Sequence, residues 1–412
     1  MPLQALRSRR LPFGIVKFTL VLLGSAFAVH PAQGSDPEQE RHAAFQAYEQ
    51  GKMVDAMPLL EALSAKYPSD ILVKERWAFA TLVYSATLTD ADQRKKTRVR
   101  ARNIALDAQK LGDNSPLLQN ALDVPEDGSE PLFSSRPEVD AAMKAAESDF
   151  ARGDYEKARD GYIHVLLLDP KNYEAALFTG DMYFKQHAQD SAGEWFARAV
   201  QIDPDRETAY RYWADALMEL GKNEEARLKY IDAIVAEPYA RRPWEGVKKW
   251  TDRNKTQVHF LKIQDKSETK VKDDKTINIT IDNSVLQGKH DPATAAWLMY
   301  GMNRALWHGD RFKKEFPNET KYRRTLKEEA DCLSGMLTVL KEQKDFRKHR
   351  DSVDPALLEL IKVNEAGFME PFVLLNRADN DIAQDYSSYR ATNREKVHAY
   401  LDQFVIPKPP SR

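Results

Sequence analysis

The sequence predicts a mainly α fold, in which an α-solenoid of antiparallel helix pairs is followed by a small α+β or helical C-terminal module with a β-hairpin. Three observations support this prediction. Small, aromatic and proline residues recur at one constant interval in the middle of the chain. Leucines near residues 326–340 have helical spacing, and isoleucines at 277, 279 and 281 alternate with polar residues as in a strand.

Three positions in each copy carry the period. The small residues are Ala158, Ala192 and Ala226, the aromatic residues are Tyr162, Phe196 and Tyr230, and the prolines are Pro170, Pro204 and Pro238. A small side chain allows two helices to cross closely, and an aromatic residue four positions later lies on the same helical face. Proline lacks an N–H, so it ends the second helix of a pair. The period therefore predicts three consecutive helix pairs.

These positions resemble those of the tetratricopeptide repeat family, whose unit is a helix–turn–helix of about 34 residues. Gly153 and Gly221 match the turn inside a pair, where the middle copy has His187. A further copy is expected at the N-terminus, and the segment 241–254 matches a first helix that caps the stack. The resemblance implies a protein-binding array.

The composition of the chain indicates the following domain organisation. Residues 35–122 are expected to form N-terminal helical pairs, and residues 123–137, rich in Pro, Ser and acids, a linker. Residues 138–254 hold the three repeats and the capping helix, residues 255–405 the C-terminal module, and residues 406–412 a tail.

The N-terminus predicts export. Residues 1–34 combine four basic residues with a short apolar run, Phe18–Val29, as in a signal peptide cleaved after Ala28 or Gly34. A retained membrane anchor is the alternative. The only cysteine is Cys332, so no lipid-anchoring cysteine follows the apolar run. A periplasmic or secreted protein is expected.

Two strands are expected in the C-terminal module, at 256–263 and 275–282, with the charged segment 265–275 as a solvated loop between them. Asp291 and Pro292 indicate a helix start. No family resemblance covers the module as a whole.

No cofactor, metal or catalytic residue is predicted, and an enzyme is the less favoured possibility. Balanced charges, with a net charge of −2, argue against nucleic acid as a partner. The segment around Glu328 resembles the one that supplies the glutamate ligand in gluzincin-type zinc metallopeptidases, but the expected pair of histidines is missing and His308 stands alone. An envelope hydrolase with its site in the C-terminal module, in one form a degenerate gluzincin-like metallopeptidase, remains the alternative. It would be favoured by clustering of Asp310, Glu328, Glu329 and Asp331.

Two further segments allow a structural and a functional interpretation. Trp297, Tyr300 and Trp307 have helical spacing and form either core or a sugar-stacking surface. The segment 94–102 is either a solvated helix face or a contact for an anionic surface such as a membrane. Its basic residues are Arg94, Lys95, Lys96, Arg98, Arg100 and Arg102.

The family resemblance places a partner-binding groove on the first helix of each repeat. Three acids, Glu147, Asp181 and Asp215, recur in it with the period of the repeat and are expected to be exposed. An apolar row (Phe150, Phe184, Met218) and a third row (Met143, Leu177, Arg211) accompany them. The predicted function is a non-enzymatic adaptor or scaffold whose protein partner presents apolar side chains and Lys or Arg. The oligomeric state stays open.

Overall fold

The computed structural model describes residues 37–113, 115–130, 132–273, 276–282, 293–344, 346–348, 350–406 and 408. The predicted signal segment 1–34 and the helix-start pair at 291–292 lie outside these residues. Within the described part of the chain, none of the helices combines the length and the apolar character needed to cross a bilayer.

The predicted fold class is confirmed: the protein is mainly α, with antiparallel helix pairs and a two-stranded antiparallel hairpin. The chain forms two compact units, Met1–Ile202 and Asp203–Arg412. This boundary falls between the second and third repeats, whereas the sequence suggests divisions at 123–137 and after residue 254.

The first unit consists of helices that pack in consecutive pairs. Its helices are α1 (Pro37–Glu49), α2 (Met53–Lys66), α3 (Ile71–Ala86), α4 (Ala91–Lys110), α5 (Pro116–Leu122), α6 (Pro137–Arg152), α7 (Tyr155–Leu168), α8 (Tyr173–Lys185) and α9 (Gln189–Ile202). The pairs are α1 with α2, α3 with α4, α6 with α7, and α8 with α9. Helix starts are defined locally: the side chains of Asp70, Asp90 and Asn172 accept hydrogen bonds from backbone N–H groups of the first turn.

The turn that the sequence predicts inside each periodic repeat contains a residue with a left-handed backbone. Gly153 and Gly221 have φ of +83° and +74°, and His187 takes the same role at +59°. This backbone conformation costs little for glycine but is unfavourable for a residue with a side chain.

The periodic small residues lie where two helices cross. Ala158 and Ala192 are fully buried, as is the ring of Phe196. A Cβ atom at Gly180 on α8 would lie 2.6 Å from the ring of Phe196 on α9 and 3.2 Å from the carbonyl oxygen of Ala192. The steric interpretation of the period is therefore confirmed.

The second unit contains the third repeat, the capping helix and the C-terminal module. Its elements are α10 (Glu207–Glu219), α11 (Asn223–Ala236), α12 (Arg241–Asn254), β1 (Ser267–Asp273), β2 (Thr276–Ile281), α13 (Ala293–Leu306), α14 (Phe312–Glu315), α15 (Leu326–Glu342), α16 (Pro355–Glu365), α17 (Met369–Phe372), α18 (Asn380–Ala383) and α19 (Tyr386–Tyr400). A 3-10 turn lies at Arg350–Ser352, and π-helical turns follow α13, α17 and α19 at Trp307–Arg311, Val373–Arg377 and Leu401–Val405.

The third repeat and the C-terminal module share one apolar core, which runs from Ala214 on α10 to Ile406. Polar contacts strengthen the connection. The Tyr386 hydroxyl on α19 donates to the carbonyl oxygen of Val235 on α11 at 2.6 Å. Arg227 on α11 is fully buried, donates to the carbonyl oxygen of Ile406 at 2.7 Å and forms an ion pair with Asp402. Residues 402–406 thus complete the packing of the third repeat.

The hairpin is partly shifted from its predicted position. β2 forms as expected, but β1 lies at Ser267–Asp273, inside the charged segment predicted to be a loop, and residues 256–263 form no strand. Both predictions are wrong because the charged segment, and not residues 256–263, pairs with β2. Ser267 pairs with Ile281 and Thr269 with Ile279, so the small side chains of β1 share the face that packs on Gly301 of α13. The charged residues of β1 alternate with them on the exposed face.

Candidate functional site

The three acids of the predicted groove are buried. Glu147, Asp181 and Asp215 expose 8%, 5% and 7% of their surface, so the expectation of screened surface charges is wrong. The Tyr162 hydroxyl donates to Glu147 at 2.7 Å, and the Tyr230 hydroxyl donates to Asp215 at 2.6 Å. Each bond joins the two helices of one repeat.

The period of the repeat alone does not predict these pairs. The sequence nevertheless contains a signal for them, because in each pair the acid is followed 15 positions later by the tyrosine. In the middle repeat the corresponding residue is Phe196, which has no hydroxyl. The tyrosine–carboxylate bond is therefore a feature of the first and third repeats and cannot form at this position in the second.

Burial changes the acidity of the first pair. Removal from water raises the pKa of the Glu147 carboxyl from 4.5 to about 7, and the nearby charge of Asp181 raises it further, while the hydrogen bond from Tyr162 opposes the rise. Burial also raises the pKa of the Tyr162 hydroxyl, so this group stays protonated and donates. Glu147 is therefore part of the interior of the first repeat and not of an exposed groove surface.

The remaining groove residues differ in exposure. Met143 and Leu177 are buried in the first unit, whereas Phe150 and Phe184 are only partly buried. The Lys185 ammonium lies 5.6 Å from the centre of the Phe150 ring, within cation–π range. The first unit therefore presents aromatic surface rather than acidic surface at these positions.

In the second unit, Met218 is buried and the side chain of Arg211 contacts residues of its own helix, α10. Arg211 binds Glu207 at 2.8 Å and lies over the Tyr212 ring at 4.8 Å. Among the predicted groove residues, only the two phenylalanines thus keep appreciable apolar exposure.

The basic segment on α4 is largely used inside the first unit. Arg98 is buried and donates to the carbonyl oxygens of Gly128 and Ser129 at 3.0 and 3.3 Å. Arg102 donates to the carbonyl oxygens of Leu122 and Val124, Arg94 pairs with Glu130, and Arg100 pairs with Glu61. Arg94, Arg98 and Arg102 thus hold the segment that connects α5 to α6, and Arg100 joins α4 to α2. An open basic surface for a membrane is not supported, although Lys95 and Lys96 are exposed.

The aromatic residues of α13 and its following turn are core. Trp297, Tyr300 and Trp307 are buried, with Trp297 and Tyr300 edge to face at 5.6 Å. The alternative of a sugar-stacking surface is therefore wrong. Cys332 is fully buried, and burial raises the pKa of its thiol, which makes it a core residue rather than a nucleophile.

Glu328 and Glu329, at the start of α15, are the most buried acids of the described C-terminal module, each with no exposed surface. Glu329 binds Arg324 and Arg377 at 2.6 Å each and accepts from the Tyr300 hydroxyl at 3.0 and 3.1 Å. These cations hold the pKa of the Glu329 carboxyl below its usual value against the opposing effect of burial, which is the largest single influence.

Glu328 has different partners. It accepts from the Tyr322 hydroxyl at 2.7 and 2.9 Å, and the guanidinium of Arg304 lies 3.1 Å away. Burial nevertheless raises the pKa of its carboxyl. His308 stacks on the Tyr322 ring with centres 3.8 Å apart, and burial together with the charge of Arg304 lowers the pKa of His308 to about 4. This histidine is therefore neutral at pH 7.

The other two acids of the hydrolase alternative lie outside this cluster. Asp310 is exposed, and Asp331 forms an ion pair with Arg311 at 2.6 Å. A polar cavity of about 210 Å³ adjoins the cluster, lined by Asp265, Ser267, Glu268, Thr269, Tyr300 and Arg304. Among the described residues, no three His, Cys, Asp or Glu side chains are arranged to hold a metal ion. The cluster supports ion pairing, and nothing in it supports hydrolysis.

The paired helices described above define a helical-repeat fold. Residues 143–207, from α6 to the start of α10, match the tetratricopeptide repeat family model. Among solved structures, the chain is similar to a MamA mutant (16% identity, TM-score 0.24, covering 49% of this chain and 97% of that one). It is also similar to MamA from AMB-1 (17%, 0.24, 49% and 99%) and to the TPR domain of P58(IPK) (12%, 0.26, 89% and 97%).

No curated protein sequence matches the chain significantly. With TM-scores this low, the likeness to these solved structures carries no inference about partners, and the match of the family model describes the repeats alone.

Proposed function

We propose that this protein is an exported, non-enzymatic adaptor that binds a segment of a partner protein through the first helices of its repeats. One observation carries the proposal: Phe150 and Phe184 occupy the same position of two successive repeats, near the ends of α6 and α8, and both are only partly buried. Stacked helical repeats present the equivalent positions of successive first helices along one surface.

The partner segment that suits these positions is apolar. A preference for Lys or Arg depended on exposed acids, and Glu147 and Asp181 are buried. Covering the exposed remainder of one phenylalanine contributes roughly 1 kcal/mol, less than the burial of a whole side chain. Binding must therefore combine several repeats, which agrees with the tandem arrangement.

A capture experiment with the mature protein and envelope extract tests the proposal. The double substitution Phe150→Ala/Phe184→Ala should weaken capture of the partner by roughly thirtyfold, the equivalent of about 2 kcal/mol. The matched control is Leu167→Ala on the second helix α7, where leucine is 76% exposed. Thermal melting should confirm that both variants are folded.

Equal capture by the double variant and the wild type would contradict groove binding. Asp181→Asn should leave the salt dependence of capture unchanged, because a buried carboxyl offers no screened surface charge to the partner.

Export has a separate test. The mature chain should begin near Val29 or Ser35 and be released by osmotic shock or recovered from the culture supernatant. An uncleaved chain in the membrane fraction would show that the N-terminal segment is an anchor and would leave the binding proposal unaffected.

A further inference from the structure

The guanidinium of Arg304 lies between two carboxylates that have no exposed surface. Its Nε is 3.1 Å from Glu328 and its Nη1 is 3.7 Å from Glu329. The Arg304 side chain keeps 17% of its surface exposed, so it is a largely buried cation with carboxylate oxygen atoms on both sides. Burying carboxylates is costly unless a cation compensates them, so a positive charge is required at this point.

The residues around this cation have the spacing of a helical metal centre. Tyr300 and Arg304 are four residues apart on α13 and therefore lie on one face of that helix. Both approach Glu329, which stands on α15. Two side chains at this spacing on one helix, completed by a carboxylate from another element, form the usual framework for a zinc ion bound by helices.

The side chains themselves do not fit a metal. The Tyr300 hydroxyl donates a hydrogen bond to Glu329 at 3.0 Å, so in this contact the phenol keeps its proton. A guanidinium has no lone pair to offer and stays charged. Two of the three ligand positions are thus occupied by groups that cannot coordinate zinc.

Charge balance explains why a cation other than a metal suffices. Arg324 and Arg377 also bind Glu329, and on their outer sides they bind Asp379 at 3.2 Å and Asp265 at 2.8 Å. Three guanidiniums thus face four carboxylates, counting Glu328. A divalent ion in place of Arg304 would neutralise this set, so the surroundings tolerate either kind of cation.

We infer that α13 and α15 form the framework of a divalent-metal centre in which the guanidinium of Arg304 takes the place of the cation. The C-terminal module is consequently held together without metal. This inference concerns the C-terminal module and is independent of the adaptor function proposed for the repeats.

The test introduces metal ligands into the full chain. The variant Tyr300→His/Arg304→His should bind about one Co²⁺ per chain and show the visible absorption of tetrahedral cobalt. The matched control Tyr300→Phe/Arg304→Leu removes the same groups without adding ligands and should bind none. Adding Glu328→Gln and Glu329→Gln to the histidine variant should abolish binding.

The wild type should contain no stoichiometric zinc, and EDTA should leave its melting temperature unchanged. If the histidine variant is unfolded alone, Zn²⁺ should restore its helical circular dichroism, since metal binding then drives folding. A histidine variant that is folded but binds no cobalt, or is unfolded and not restored by zinc, would overturn the inference. So would a wild type carrying about one zinc that Glu329→Gln removes.

Discussion

The close approach of α8 and α9 leads to a prediction about a single methyl group. The substitution Gly180→Ala places a Cβ atom 2.6 Å from two ring carbons of Phe196, whereas ordinary contacts begin near 3.4 Å. The ring is fully buried and cannot move into solvent. One of the two helices must therefore shift.

Two effects of opposite sign determine the size of the change. Replacing glycine by alanine inside a helix stabilises it by about 1 kcal/mol. Overpacking a core costs about 1–3 kcal/mol. The free energy of unfolding should therefore fall by up to about 2 kcal/mol in the wild-type background. In a Phe196→Leu background the ring is gone, and the same Gly180→Ala substitution should stabilise.

A double-mutant cycle in urea, followed by circular dichroism of the full chain, measures this coupling. The wild type, both single variants and the double variant should give a coupling energy of about 1–3 kcal/mol. If Gly180→Ala stabilises both backgrounds equally, the two helices do not cross as closely as described, and the steric explanation of the repeat is refuted.

Three further predictions concern two buried side chains, Glu147 and Arg227, and the left-handed backbone at His187. Burial raises the pKa of Glu147 to about 7 in the folded state, so its carboxyl binds a proton more tightly there than in the unfolded state. The free energy of unfolding should therefore fall by roughly 3 kcal/mol as the pH rises from about 4.5 to 7. The substitution Glu147→Gln should flatten this part of a profile of stability against pH. His187→Gly should raise the free energy of unfolding by roughly 1 kcal/mol by relieving the left-handed backbone, and an unchanged urea midpoint would contradict this. The substitution Arg227→Leu should lower the free energy of unfolding by roughly 1.5–3 kcal/mol. Its exposed partner is Glu224, and Glu224→Gln should cost under about 1 kcal/mol. Equal melting temperatures of these two variants would show that burial of the guanidinium is unimportant.

Local and periodic features of the fold are predictable from the sequence. The fully buried residues Ala158 and Ala192 and the left-handed turn at Gly153 follow from steric requirements that each repeat must satisfy by itself. A requirement that returns in every repeat is visible in one sequence, because each copy confirms the others.

Features that depend on distant residues are not predictable in this way. Arg377 reaches Glu329 from 48 positions away, and no periodicity marks it. The burial of Asp215 becomes evident only when the tyrosine of the next helix is recognised as its donor. The position of β1 is obscured because its charged residues dominate the composition, although only the alternate positions, such as Ser267 and Thr269, face the helix beneath it.

The contacts of Arg227 with Asp402 and with the carbonyl oxygen of Ile406 have a consequence for the order in which the molecule is made. A ribosome releases the chain from its N-terminus, so α11 emerges well before the residues that complete its surroundings. The described helices of the first unit are all synthesised once residue 202 is free, but the third repeat must wait for residues 402–406. A stalled or C-terminally clipped chain would therefore expose the apolar face of its third repeat, and such chains should be the preferred substrates of chaperones and proteases.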